Sequence, residues 1–252
     1  MFTHAITRLP GENFAEGLTT ANLGLPDYQL ILRQHYSYRQ ALLSLGLDVI
    51  VLPAEPAFPD GYFVEDSAIV TPKIAVVTRP GASSRQGEEA SIAPYLEYYR
   101  PLVYIKTPGT VEGGDVLMVG GHFFIGLSDR TNSDGAAQLA RFLAVAGHTA
   151  ETVPVPAGLH LKSSVNYIGK NTLLMTKTLA EYPGFNRYEN IILDEDEEYA
   201  ANTLWANDTL LMPKGYPKTK AKLHKLGMLI IELDVSEVRK MDGGLTCMSL
   251  RF

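Results

Sequence analysis

Apolar and polar positions follow a repeated order along this chain: an apolar run with a polar tip, a second apolar run, a helix-period stretch, and a closing apolar run. "GYFVEDSAIV" (61–70) leads to "KIAVVTRP" (73–80), "GEEASIAPYLEYY" (87–99) and "LVYIKTPG" (102–109). Short apolar runs between Gly and Pro predict strands, and 3.6-residue periodicity predicts helices. The same order returns in "TVEGGDVLMV" (110–119), "HFFIGLS" (122–128), the helix 132–147 and "AETVPVP" (150–156). A third unit runs through "LHLKSSVNYI" (159–168), "NTLLMTKT" (171–178) and "ENIILDE" (189–195), with no clear helix. A fourth comprises "YAANTLWAND" (199–208), "TLLMPKG" (209–215), the helix 217–227 and "MLIIELD" (228–234). The last tip is "DGGLTCMSLRF" (242–252), whose sequel is "HAITRLP" (4–10), the helix 28–46 and "LDVIVLP" (47–53). Gly46, Gly147 and Gly227 stand where helix stops are needed.

Five such units, at a spacing of roughly 40–50 residues, predict an α/β fold in which each unit buries its apolar face against its neighbours. Because the last unit borrows the N-terminal segment, the pattern suggests radial closure. The polar tips then converge on an axis: Glu65, Asp66, Glu112, Asp115, His160 and Cys247. An open α/β sheet with these acids on unrelated loops fits the periodicity equally well.

Composition narrows the chemistry. The 252 residues carry a net charge of −6, which argues against nucleic acid or an anionic membrane surface as the main partner. It is compatible with a small cationic substrate. The single cysteine excludes an internal disulfide framework and a Cys-rich zinc site, and suits a reducing cytoplasm. No signal-peptide pattern and no transmembrane-length apolar run is present. No nucleotide-binding or zinc-protease motif stands in a workable context.

A lone cysteine is more often a small buried hydrophobe than a nucleophile, and a histidine in an apolar run is more often a core residue. Cys247, however, follows two glycines that permit close approach, and His160 lies on another axial tip. A nucleophilic cysteine needs a histidine near in space. Buried carboxylates need cations, so Glu65, Asp66, Glu112 and Asp115 either pair within the fold or await a cationic ligand. Arg79, Arg85 and Arg130 follow second strands, where arginine can grip a carboxylate bidentately; a solvated loop residue is the default reading of each.

Together "GLTTANLG", "FPDGYFVED", "TRPGASSRQGE", "PGTVEGGDV", "LHLKS", "MPKGYP" and "DGGLTCMSLR" resemble the dimethylarginine dimethylaminohydrolases. These belong to the guanidine-modifying superfamily that includes arginine deiminases and amidinotransferases. The resemblance runs through nearly the whole chain. It implies one catalytic domain, 1–252, folded as a pseudo-symmetric, closed α/β propeller of five ββαβ-like units (pentein-type) around a channel. It further implies Cys247 as nucleophile, His160 as general acid/base and Glu112 as its acidic companion. Asp66 would bind the guanidinium, and Asp60, Glu65, Arg85 and Arg130 the amino-acid end. Leu18 would belong to a mobile lid and Met241 to the pocket wall. Gln86, Met241 and Thr246 depart from the family pattern, where a basic residue, Ile and Ser are expected.

The implied reaction is hydrolysis of Nω-methylated arginine to citrulline and methylamines through a covalent cysteine intermediate. It needs no metal or organic cofactor. A homodimer is the assembly the resemblance allows. Arginine deiminase-like hydrolysis is the alternative, although deiminases carry an added helical domain for which this length leaves no room. A non-catalytic five-unit binding protein would lack the Cys/His/Glu set.

Overall fold

The computed structural model describes residues 1–155 and 160–252. The end of the predicted strand 150–156 and Leu159 therefore lie outside the described residues. Five three-stranded sheets are present among those described. In each, the first strand pairs antiparallel with the second, and the second pairs parallel with the third. Ala68–Val70, Ala75–Val77 and Leu102–Tyr104 form one such sheet. Val116–Val119, His122–Leu127 and Thr149–Pro154 form the next. Val165–Tyr167, Thr172–Met175 and Glu189–Ile192 follow, then Leu204–Ala206, Thr209–Pro213 and Leu229–Leu233.

The fifth sheet is assembled from both ends of the sequence. Leu250–Arg251 pairs antiparallel with His4–Arg8, which pairs parallel with Asp48–Leu52. This pairing turns a linear array into a ring: a five-unit α/β propeller.

Packing follows the ring. Five apolar clusters are present among the described residues, and each bridges two neighbouring sheets. Ile69 and Val76 pack with Val116 and Phe123, Leu117 and Phe124 with Val165 and Leu173, and Leu174 with Leu210. Ala5 packs with Leu204 and Leu211, and Ile6 with Ala68 and Ala75, which closes the circle. A unit removed from this ring would expose both of its seams, so the units are stable only together.

The helices lie where periodicity placed three of them. Tyr28–Ser44 starts at Asp27, whose side chain accepts the Leu30 N–H at 2.8 Å, and Ser133–Val145 starts at Asn132, which accepts Gly135 N–H at 2.8 Å. Pro217–Lys225 carries its proline in the first turn, where no N–H is needed. Gly46, Gly147 and Gly227 follow these helices at φ +81°, +92° and +66°, conformations that favour glycine.

Two expectations are corrected. The helix over 87–99 divides into a 3₁₀ turn, Glu88–Ser91, and a short α-helix, Ala93–Glu97. Pro94 supplies no N–H, so a helix begins around it instead of passing through. The polar tips are not strands either. Val64–Ser67, Gly113–Asp115 and Leu161–Ser163 are 3₁₀ turns ahead of short strands, and Cys247 lies in a turn before Leu250–Arg251. The side chains of a tight turn fan out around its axis, which a strand's two faces cannot do. No helix among the described residues is long and apolar enough to cross a membrane.

Tyr38, fully buried in the helix Tyr28–Ser44, ties that helix to the closing segment. Its hydroxyl donates to the Leu245 carbonyl at 2.9 Å and meets Ser249 Oγ at 2.7 Å. Tyr38→Phe leaves the carbonyl unpaired at constant packing volume. A loss of about 1–3 kcal/mol is expected, read as a lower urea midpoint with unchanged slope.

Candidate active site

The first strand of every sheet faces the axis, and its preceding turn ends near the middle of the channel. Eight of the ten residues singled out from sequence line one small cavity there: Leu18, Asp60, Asp66, Arg85, Arg130, His160, Met241 and Cys247. Its volume is about 20 Å³, room for roughly one water. Behind it lies a second, larger chamber of about 810 Å³ lined by the inner strands. Neighbours in sequence divide between the two: Asp66 and Cys247 face the small cavity, Glu65 and Thr246 the chamber. The partition is thus one layer of turn residues.

Glu112 does not line the small cavity; it stands behind His160. It is fully buried, and its Oε2 lies 2.7 Å from His160 Nε2. Oε1 accepts the Gly81 and Ala82 backbone N–H groups at 3.1 and 3.4 Å. The glycines of "EGGD" explain how the turn packs so closely. A Cβ on Gly113 would strike the Glu65 carbonyl, and one on Gly114 would lie 2.6 Å from the His160 ring. Gly114 N–H also donates to Asp66 Oδ1 at 2.8 Å. Asp115 holds the histidine's turn by accepting Leu161 N–H at 2.9 Å and Ser128 Oγ–H at 2.6 Å.

Glu65 lies on the far side of the partition. Lys162 Nζ and an Arg251 Nη both reach its Oε1 at 2.7 Å. Its backbone N–H donates to the Cys247 carbonyl at 3.3 Å.

The two arginines differ. Arg85 is buried with four of its five N–H groups committed. Nε and Nη2 meet Glu88 at 3.1 and 2.5 Å, Nη2 also approaches the Asp60 and Phe63 carbonyls at 3.4 Å, and Nη1 meets Asp66 Oδ2 at 2.7 Å. Arg130 is more open and touches Glu112 only at 3.6 Å. The bidentate grip expected of both is geometrically free only in Arg130. Arg79 turns away to Gln86 Oε1 at 3.1 Å. Sequence reasoning missed Glu88: Arg85 ends one 3₁₀ turn and Glu88 begins the next, with Gly87 at φ +109° between them, so no helical spacing announced the pair.

A lid closes the cavity. Leu18 N–H donates to both oxygens of Asp60 at 3.1 and 3.2 Å. Thr20 bonds Asp242 Oδ2 through its N–H at 2.5 Å and its hydroxyl at 3.0 Å, and Thr19 Oγ1 donates to the Lys240 carbonyl at 2.8 Å. Asp242, at φ +57° beside Met241, is the second anchor that the sequence did not reveal.

The electrostatics follow from burial and charge. Burial alone would lower the His160 pKa, but Asp66, the bond to Glu112 and the charge of Asp115 outweigh it and raise it to about 9. Burial would raise Glu112; its bond and charge interaction with His160, with help from Arg85 and Arg130, hold it at about 2. Burial, then the negative charges of Glu65 and Asp66, push the Cys247 thiol up to about 12. The unliganded site therefore holds a neutral thiol beside an imidazolium. One oxygen each of Asp66 and Glu112 and one nitrogen of His160 lie within 4.8 Å of one another, a spacing that a metal ion can bridge. Arg85 supplies positive charge there, at 2.7 Å from Asp66 and 3.6 Å from Glu112.

A cysteine, a histidine locked to a carboxylate, and a further carboxylate held by Arg85 converge at the axis of a five-unit propeller. That combination defines a guanidine-modifying α/β propeller. No protein-family model matches the chain. It is 44% identical over 254 residues to a dimethylarginine dimethylaminohydrolase from Pseudomonas aeruginosa, covering 100% of both chains. A second such enzyme, from Streptomyces coelicolor, is 33% identical, with 98% of this chain and 96% of the relative covered. Among solved structures, the Pseudomonas aeruginosa enzyme as a cysteine-to-serine mutant complexed with citrulline superposes with a TM-score of 0.98 over the full length of both chains at 44% identity. The chain belongs to the dimethylarginine dimethylaminohydrolase family.

The raised His160 pKa has a consequence for stability. The folded state holds this proton more tightly than an ordinary histidine, so its contribution is complete below pH 6.5 and is lost as pH rises through about 9. The melting temperature is expected to fall across that window. Glu112→Gln removes part of the cause, and the slope between pH 6.5 and 9 should flatten. An unchanged slope in the variant would place its origin elsewhere.

Proposed function

We propose that the protein hydrolyses Nω-methylated L-arginine to L-citrulline and a methylamine through a covalent adduct on Cys247. The observation that carries this reading is the convergence of Cys247, His160 and Asp66 on one lidded cavity. The citrulline complex of the close relative supports it. A cavity of about 20 Å³ admits no amino acid, so the segment around Leu18 must open before substrate enters. Arg130 then faces the substrate carboxylate with Asp60 nearby, and Asp66 takes the guanidinium in its plane.

The guanidinium carbon is a poor electrophile because its charge is delocalised, so the nucleophile must be strong. With the thiol at about 12, only roughly one part in 10⁴ is thiolate at pH 8. A bound guanidinium reverses the local field and lowers that pKa. Thiolate formation is therefore coupled to substrate binding, and water or stray electrophiles meet a neutral thiol. As the cation binds, the thiol proton passes to solvent, since His160 is already protonated, and the Cys247 thiolate adds to the guanidinium carbon. His160, as imidazolium, gives its proton to the departing amine, and the C–N bond breaks to leave an S-alkylthiouronium. Neutral His160 then takes a proton from water as its oxygen adds to the same carbon. Collapse breaks the C–S bond, returns the thiolate and releases the ureido product. Glu112 holds the ring in place and stabilises the charge formed on it.

Cys247→Ser should retain the circular-dichroism spectrum and lose turnover; activity above about a tenth of wild type would defeat the covalent route. Methylated arginines should exceed arginine in kcat/KM by roughly 10–200-fold, the range that one or two methyl groups in an apolar pocket supply. Arginine outpacing both methylated forms would move the assignment to a deiminase. Substrate-coupled thiolate formation gives a separate test. A cationic haloacetamidine should alkylate Cys247 far faster than the neutral haloacetamide at pH 8, and equal rates would show a thiolate already formed.

A further inference from the structure

Glu88 is buried, takes no part in the chemistry above, and spends both carboxylate oxygens on Arg85. The two bonds, Oε2 to Nε at 3.1 Å and Oε1 to Nη2 at 2.5 Å, run parallel. They fix the guanidinium plane and leave Nη1 pointing at Asp66. Arg85 is thus a cation already seated on the carboxylate that the proposed mechanism needs for the substrate's own guanidinium. The two cations compete for Asp66, and whatever draws charge from Arg85 favours the substrate.

Charge counting around the cavity sharpens the point. Arg85, Arg130 and protonated His160 are three positive charges. Asp60, Asp66, Glu88, Glu112 and Asp115, whose charge also acts on His160, are five negative ones. The carboxylates outnumber the cations, which suits the arrival of a guanidinium. Removing Glu88 reduces that excess, and a guanidinium then enters a dry site with less compensation.

We propose that Glu88 is a positioning residue for substrate capture: it holds Arg85 through two of its N–H groups and offsets its charge, so that Asp66 can bind the substrate's guanidinium. This rests on the reading of Asp66 given above, but its test does not use turnover. The charged groups facing Glu88 are Arg85, Asp66, Asp60 and Arg8. Burial raises its carboxyl to about 7 against the pull of Arg85, so binding is measured at pH 8, where it is ionised.

The probes are monomethylarginine, a cation, and citrulline, whose ureido end is neutral but otherwise similar in shape. Binding of each to Cys247→Ser protein is measured by calorimetry, with and without Glu88→Gln. The substitution is expected to weaken monomethylarginine at least tenfold and citrulline less than threefold. Glu88→Asp, which retains the charge, should recover most of the monomethylarginine affinity, and it is the variant measured if Glu88→Gln does not fold. Equal losses for the two ligands would mean that Glu88 only shapes the site, and would overturn the proposal. Unchanged affinity for both would overturn it as well. If the parent Cys247→Ser protein binds neither ligand, the substrate assignment itself fails and this proposal falls with it.

Discussion

The organisation of this molecule turns on buried charge. Asp66, Glu88 and Glu112 all lie within ion-pair distance of the single guanidinium of Arg85, at 2.7, 2.5 and 3.6 Å. Removing one partner of a buried pair typically costs about 3–5 kcal/mol, so none of the three carboxylates tolerates the loss of that arginine. A propeller is a suitable scaffold for such a cluster. Each unit can bring one tight turn to the axis, and five turns can place donors and acceptors around a point with no backbone passing through it. The apolar seams between units fix the relative positions of those turns. The site is held by the ring as a whole, and no single element supports it alone.

The same crowding of charge explains the division of labour between cysteine and histidine. In a site that paired them as thiolate and imidazolium at rest, surrounding carboxylates would be a handicap. Here they keep the thiol protonated and the imidazole charged. Burial and the neighbouring carboxylates hold the thiol in its neutral form, the less reactive one toward neutral electrophiles, and a bound cation would act against both. Selectivity then comes partly from charge, before pocket shape contributes anything.

Much of this was legible in the sequence, for identifiable reasons. The five-fold repeat was visible because each unit has the same order of apolar runs, and helix stops at Gly46, Gly147 and Gly227 mark its joints. Ring closure was suggested by a last tip that had no second strand of its own. The polar tips were misread as strands because a four-residue 3₁₀ turn such as Val64–Ser67 is too short to show a period of its own ahead of an apolar run. Eight of the ten site residues that the resemblance implied lie on one cavity, because family motifs carry a residue's place on its turn along with its identity. Glu65 went to the opposite side of the partition, since a neighbour on a tight turn points elsewhere. Asp242 escaped notice because its partner, Thr20, is brought near only by the folded chain, and Glu88 because the left-handed Gly87 that turns it back onto Arg85 leaves no periodic mark. The preference for Met241 where Ile is expected is the one departure whose effect on the pocket wall depends on a flexible side chain.

The strand that closes the ring, Leu250–Arg251, follows every other described strand in the chain. Asp66, Glu112 and His160 are all synthesised earlier, and Cys247 only three residues before that strand. During translation the four preceding units emerge with their seams exposed at both ends, carrying acids and a histidine but no thiol. The nucleophile and the pairing that encloses it leave the ribosome almost together. Cys247 and the pairing that encloses it are thus adjacent in the chain, and a chain stopped before them carries the acids and the histidine without the thiol.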